Sequence, residues 1–134
     1  MNRELRPDSI APPAAAYAHG VEVPSGSRLV FTSGVVPTRP DGGTPGSIGD
    51  QADLVWHNVR AVLAEGGMGV ADIVSVTTYV VATDDLAADL RVVMAARDRA
   101  LAGHRAASTL VTVPALARPE WRMEIAVIAA RTDG

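Results

Sequence analysis

Glu124 lies in Met123-Glu124-Ile125-Ala126-Val127-Ile128, a run in which every neighbour is apolar. A carboxylate there is the first candidate for chemistry. Burial among apolar side chains disfavours its charged form, and a raised proton affinity suits it to proton transfer. An exposed edge position or an ion pair at an interface would account for the same residue without any reaction. Tyr17 carries a phenol that can donate to a bound carboxylate; packing the hairpin is its plain alternative. Gly34, after Ser33, permits close backbone approach, and a simple turn would use it equally well.

Other chemistries are excluded by what is missing. There is no cysteine, so disulfides, thiolate nucleophiles and zinc-thiolate sites fall together. All 12 basic residues are arginine. Without lysine there is no Schiff-base attachment of pyridoxal phosphate and no Walker-type phosphate loop. His19, His57 and His104 lack a ligand spacing such as i,i+4, so no metal site is expected. No Gly-x-Ser-x-Gly elbow places Ser33 with His19 as a hydrolase pair. Gly66-Gly67-Met68-Gly69 follows a helical stretch, which makes it a helix stop and not a dinucleotide loop. The net charge of −3 and scattered arginines predict no nucleic-acid surface. No apolar run reaches transmembrane length, and the charged start, Met1 to Pro7, does not read as a secretory signal. A cytoplasmic protein that does not bind membranes is expected.

These residues need elements to position them. Residues 1–14 read as an extended arm ending in Pro12-Pro13. Ala16 to Val23 and Arg28 to Gly34, joined by Ser25-Gly26-Ser27, predict a hairpin. Pro37 to Gly46, rich in proline and glycine, is a loop. Ser47 to Glu65 reads as a helix, capped by Ser47 or Asp50, with Val55, Val59, Val62 and Leu63 as its apolar stripe. Asp72 to Val81 is a strand rich in β-branched residues. Asp84 to Leu101 is a second helix, with Leu86, Leu90, Val93 and Arg97 along it. Strands at Ser108 to Val113 and Arg122 to Ala130 complete one α+β domain over residues 1–134, in the order β-β-α-β-α-β-β. Two helices cover one face of such a sheet. The late strands are nonetheless apolar on both faces, which predicts a closed symmetric oligomer.

Several stretches, in colinear order, resemble the RidA/YjgF family. They are Pro12-Pro13 with Tyr17-Ala18-His19-Gly20-Val21; Leu29 to Gly34; Gln51 with Asn58 to Leu63; Asp72-Ile73-Val74 with Thr77 to Val80; Ser108 to Val111; and Met123 to Ala129. The resemblance implies a chorismate-mutase-like mixed sheet and a homotrimer built around a central barrel. Small metabolites would bind in three clefts between subunits. It also implies hydrolysis of reactive enamines or imines to an oxo compound and ammonia, without metal or organic cofactor. In that picture Glu124 positions the attacking water. Tyr17, Ser33, Gly34 and Ser108 line the cleft. The substrate-carboxylate arginine falls at Ala107, which cannot make that contact. Arg105, two residues earlier, either reaches across the offset or stands solvated before the strand. Ala126 replaces a second family glutamate, and Leu90 and Val35 replace a family asparagine and glutamine, which makes the cleft less polar. The family also carries an endoribonuclease label, against which the acidic balance argues. An enzyme with an altered substrate and a non-catalytic trimer that binds metabolites or another protein are the two readings.

Overall fold

The computed structural model describes residues 1–133. Helix α1 (Ile48–Glu65) begins where Ser47 Oγ accepts from the Asp50 amide at 3.1 Å, an N-cap that satisfies one of the orphan donors of the first turn. Its buried side, Ala52, Val55, Trp56, Val59 and Leu63, repeats at helical spacing. Val62, expected on that stripe, is exposed. Helix α2 (Leu86–Leu101) ends at Ala102 and Gly103, both at positive φ. Its buried side includes Val93, Ala96 and the charged Arg97, which turns its guanidinium to Asp98.

Strands β3 (Arg28–Phe31), β4 (Ile73–Val81), β5 (Ala107–Val113) and β6 (Met123–Arg131) form a mixed sheet in the order β3-β6-β4-β5. Only β4 and β5 run parallel, as a helical crossover through α2 demands. Val76 and Val80 of β4 and Met123, Ile125 and Val127 of β6 meet both helices in the core. This is the two-helix, mixed-sheet α+β architecture expected.

The predicted hairpin does not form. Strand β2 (Gly20–Glu22) pairs with β1 (Arg3–Leu5), a strand inside the stretch read as an extended arm, while β3 pairs with β6. Pairing with β6 sets Val30 beside Ala129 and packs it on the core, a burial that an isolated two-stranded ribbon cannot supply.

The sheet's second face carries no helix. Residues opposite one another across strands share a face, so the register defines its rows. One row is Phe31, Ile128, Ser75 and Ala107; the next is Ala126, Thr77 and Thr109; the third is Glu124, Tyr79 and Val111. Phe31 is 66% exposed, Leu29 50% and Val111 40%. So much bare apolar area on one face is characteristic of a surface that meets another protein surface. Among the described residues, no helix is long and apolar enough to cross a membrane.

Candidate functional site

The first group of predicted site residues gathers at the β3–β6 edge. The Thr32 amide donates to Val127 O at 3.0 Å, and Val35 exchanges backbone bonds with Ile125. Ser33 and Gly34 therefore stand together opposite the single residue Ala126, which makes a β-bulge. Thr32 Oγ1 repairs the broken ladder by accepting from the Val127 amide at 3.0 Å. The bulge gives the Glu124 side chain its berth. A Cβ built on Gly34 would collide with Glu124 Oε2 and lie 2.9 Å from its Cδ. Position 34 is thus glycine because a carboxylate lies against its backbone. Ser33 is exposed beside it. Tyr79 of β4 is the direct cross-strand neighbour of Glu124 on the open face; the sequence reading used it only as a strand residue.

The second group lies at the opposite edge. Ala18 forms a parallel bridge with Ala107, and its amide donates to Ala106 O at 2.9 Å. Tyr17 is thereby set beside the start of β5. Its ring meets His19 edge-on at 6.0 Å. Ala107 faces the open side, in register with Ser75. Ser108 points the other way, in register with buried Val76. Arg105 lies just before the strand and is already engaged. Its Nε and Nη2 donate to the two oxygens of Glu4 at 3.1 and 3.4 Å, and Nη2 also donates to Tyr17 O at 2.6 Å. Glu4 is shared with Arg6, which donates at 2.7 and 3.0 Å. These two guanidinium groups, Arg6 first, hold the Glu4 carboxyl down at about 2.

The two groups are not adjacent within one chain. Ala107 stands two strands and four residues away from Glu124, a separation of about 16 Å at standard strand spacings. A small substrate cannot touch both. Leu90 and Val35, expected to make the cleft less polar, pack against the core.

Two amides on α1 fasten the loops around the first group. Asn58 Nδ2 donates to Val36 O and Thr38 O at 3.2 and 3.1 Å, holding the chain that leaves the bulge. Buried Gln51 donates to Pro45 O at 2.8 Å and Glu120 O at 2.9 Å, and its Oε1 accepts from the Arg122 amide at 2.9 Å. Arg122 also pairs with Asp89 at 3.0 Å, so the residues just before Glu124 are held on both sides. Gln51 and Asn58 were legible only as part of the family resemblance. Glu4 has a local partner in Arg6, but its link to Arg105, 101 residues away, carried no local signal. Among the described residues, no group of three His, Cys, Asp or Glu converges to hold a metal ion.

A family model described as Endoribonuclease L-PSP matches residues 8–131. TdcF of Escherichia coli strain K12 is 34% identical over 88 residues, which is 65% of this chain and 63% of TdcF. The chain thus aligns with just under two thirds of that curated relative. The 2-iminobutanoate/2-iminopropanoate deaminase of the same strain is 28% identical, over 65% of this chain and 66% of its own. Among solved structures, the Rid-family protein YyfB of Yersinia pestis, itself of unknown function, superposes with a TM-score of 0.86 at 28% identity, covering 97% of this chain and 98% of YyfB. TdcF with bound serine gives 0.71 at 27% identity, over 97% and 99%. With the family model running through both halves of the sheet, and the same fold along nearly all of two solved relatives, the chain belongs to the endoribonuclease L-PSP family, the RidA/YjgF proteins.

Proposed function

We propose that the chain is a cofactor-independent hydrolase of reactive imines or enamines, working in clefts formed when three copies close their open sheet faces into a homotrimer. The observation that carries this reading is Glu124 laid against the Gly34 backbone on the open sheet face, which bares Leu29, Phe31 and Val111. A relative that is a 2-iminobutanoate/2-iminopropanoate deaminase supplies the reaction class. A relative with bound serine supports a small-molecule ligand. The cytoplasm is the proposed location.

In this reading Glu124 takes a proton from water as the water oxygen bonds to the imine carbon. The carbinolamine so formed keeps its nitrogen. Glu124 gives that proton to the nitrogen and then carries the hydroxyl proton to it as well; the C–N bond breaks with its electron pair on nitrogen as an oxygen lone pair closes the C=O bond, leaving an oxo compound and ammonia. Tyr17 and the edge of β5 on a neighbouring copy complete the pocket, because the same residues on Glu124's own chain are too far away. Ser33 and Gly34 present backbone groups to the ligand, and Ser108 contributes through its backbone.

Ala107 sets the substrate. With no guanidinium at that position, the cleft favours an imine without a carboxylate beside the reacting carbon. A hydrogen-bonded contact to a charged group is worth about 1.5–3 kcal/mol, which is roughly tenfold to a hundredfold in kcat/KM. The test is ammonia release from imines generated in situ, with and without that carboxylate, by the parent and by Ala107→Arg. The parent should prefer the neutral substrate, and Ala107→Arg should raise turnover of the carboxylated one by that factor. Equal, Glu124-independent release from both substrates would refute the reading. Ala107 also favours a second reading, a non-catalytic trimer that binds metabolites. Ligand binding without any turnover would select it.

A further inference from the structure

The chain has two tyrosines. The hydroxyl of Tyr17 is engaged, accepting from the Ala14 amide at 3.4 Å. Tyr79 stands half-buried on β4, directly across from Glu124 on the open sheet face. Its hydroxyl has no protein partner among the described residues and is not sealed from solvent. We infer that Tyr79 is a further catalytic residue of the candidate site, its phenol donating a hydrogen bond to the nitrogen of the bound imine, and that the site thereby selects imines whose nitrogen carries a lone pair. This role rests on the hydrolase reading and adds to it the group that faces the nitrogen.

Position is the first reason. Strand β6 lies between β3 and β4 in the sheet. Glu124 leans to the β3 side, where its carboxylate lies against the Gly34 backbone. Tyr79 rises from the β4 side of the same residue. Side chains paired in this way have Cβ atoms about 4.5–5.5 Å apart, close enough for one small molecule to touch both. The bulge thus draws the carboxylate to one side of β6 and leaves the phenol to serve the other. Val111, the partner of Tyr79 on β5, continues the row and offers an apolar wall, 40% exposed, to the substrate's body.

Chemistry is the second. As the water oxygen bonds to the imine carbon, the electron pair of the C=N π bond moves onto nitrogen. A donor aimed at that nitrogen stabilises the charge as it develops. Glu124 is accepting the water's proton at that moment and cannot be the donor. A phenol can donate while keeping its own proton, so Glu124 still delivers every proton that the nitrogen gains and the balance of the hydrolysis is unchanged. A neutral imine has a nitrogen lone pair to accept this bond. An N,N-dialkyliminium has none, and water addition to it neutralises charge on nitrogen instead of creating it. The phenol therefore assists the first and not the second.

Tyr79→Phe keeps the ring and removes only the hydroxyl. The probes are a neutral imine and the N,N-dimethyliminium of the same carbon skeleton, generated in situ at a pH where the imine is unprotonated. Steady-state release of the oxo compound is followed for the full-length parent, Tyr79→Phe and Glu124→Gln. On the neutral imine, Tyr79→Phe should lower kcat about tenfold to a hundredfold with KM within about twofold, because the bond strengthens only in the transition state. On the iminium it should match the parent. Glu124→Gln should lose turnover of the neutral imine altogether. If Tyr79→Phe matches the parent on the neutral imine while Glu124→Gln is inactive, Tyr79 has no catalytic part and the hydrolase reading still stands. Equal loss on both probes, or a loss carried by KM alone, also overturns the role, since it marks Tyr79 as a packing residue. A parent without turnover, or a Glu124→Gln as active as the parent, overturns the hydrolase reading and the role of Tyr79 with it.

Discussion

Replacing Gln51 by methionine, which has nearly the same length and shape, tests how the candidate site is held. Gln51 is buried and makes three hydrogen bonds, one to each of Pro45 O, Glu120 O and the Arg122 amide. Methionine fills the space but satisfies none of them. The Arg122 amide is left as an orphan donor, and the two carbonyls lose their buried partner. An unsatisfied buried group costs about 1–3 kcal/mol, with carbonyls toward the low end; better packing of an apolar side chain returns part of that. A net loss of about 2–4 kcal/mol is expected. For a chain of this length the unfolding entropy near the midpoint is about 0.28 kcal/mol per degree, so Tm should fall by about 7–14 °C. Calorimetry of Gln51→Met and the parent at one protein concentration measures this, the fixed concentration keeping the proposed trimer assembly from shifting Tm. Hydrogen exchange gives the local readout: the Arg122 amide should lose its protection while core amides of β4 keep theirs. If Gln51→Met melts within 2 °C of the parent with Arg122 still protected, Gln51 does not hold the entry to β6.

Gly34→Ala should leave the fold intact, because the atoms that a Cβ would meet are the far end of the flexible Glu124 side chain. It should still displace that carboxylate and lower imine hydrolysis by about a hundredfold, the usual consequence of moving a reacting group by an ångström; parallel melting and ammonia-release curves check both halves. Acid should loosen the N-terminal arm before the core. Glu4 is held at about 2 against an ordinary 4.5, so its hold on Arg6 and Arg105 is complete above 4.5 and fades as the pH falls toward about 2. Limited proteolysis of the arm, or its backbone resonances, should follow that window, and Glu4→Gln should abolish the dependence. Light scattering on a size-exclusion peak should give three times the 13.9 kDa chain mass, and Phe31→Asp, which charges the bare sheet face, should yield monomer.

Both helices were readable because their stripes and stops are local: Ser47 before α1, Gly66-Gly67 after it, and apolar residues at helical intervals. Strands β4 and β6 were equally readable from β-branched and alternating runs. Pairing was not. Arg28 to Gly34 has a turn before it and a strand before that, so short-range signals point to a hairpin. Its actual partner lies about a hundred residues downstream and offers a core to pack on. Arg3-Glu4-Leu5 carries no strand signal, since its β form comes from backbone bonds to β2. At the site, the types of Glu124, Gly34 and Ala107 were legible, but not the bulge that joins the first two. Neither was the distance that separates both from the third, because each depends on register across β3, β6, β4 and β5.

The central claim is that Glu124 of one copy works with the Tyr17 and β5 edge of another. Mixing two disabled variants tests it most directly. Glu124→Gln and Tyr17→Phe, each impaired alone, are unfolded together, refolded at equal amounts and assayed for imine hydrolysis. If the site is shared between copies, random assembly leaves about a quarter of the clefts with both residues intact, and activity should return to about that fraction of the parent's. If Glu124 and Tyr17 serve one another within a single chain, every chain in the mixture carries a defect. Activity that then stays at the level of the separate variants, in a mixture shown by mass to have exchanged subunits, would contradict the account.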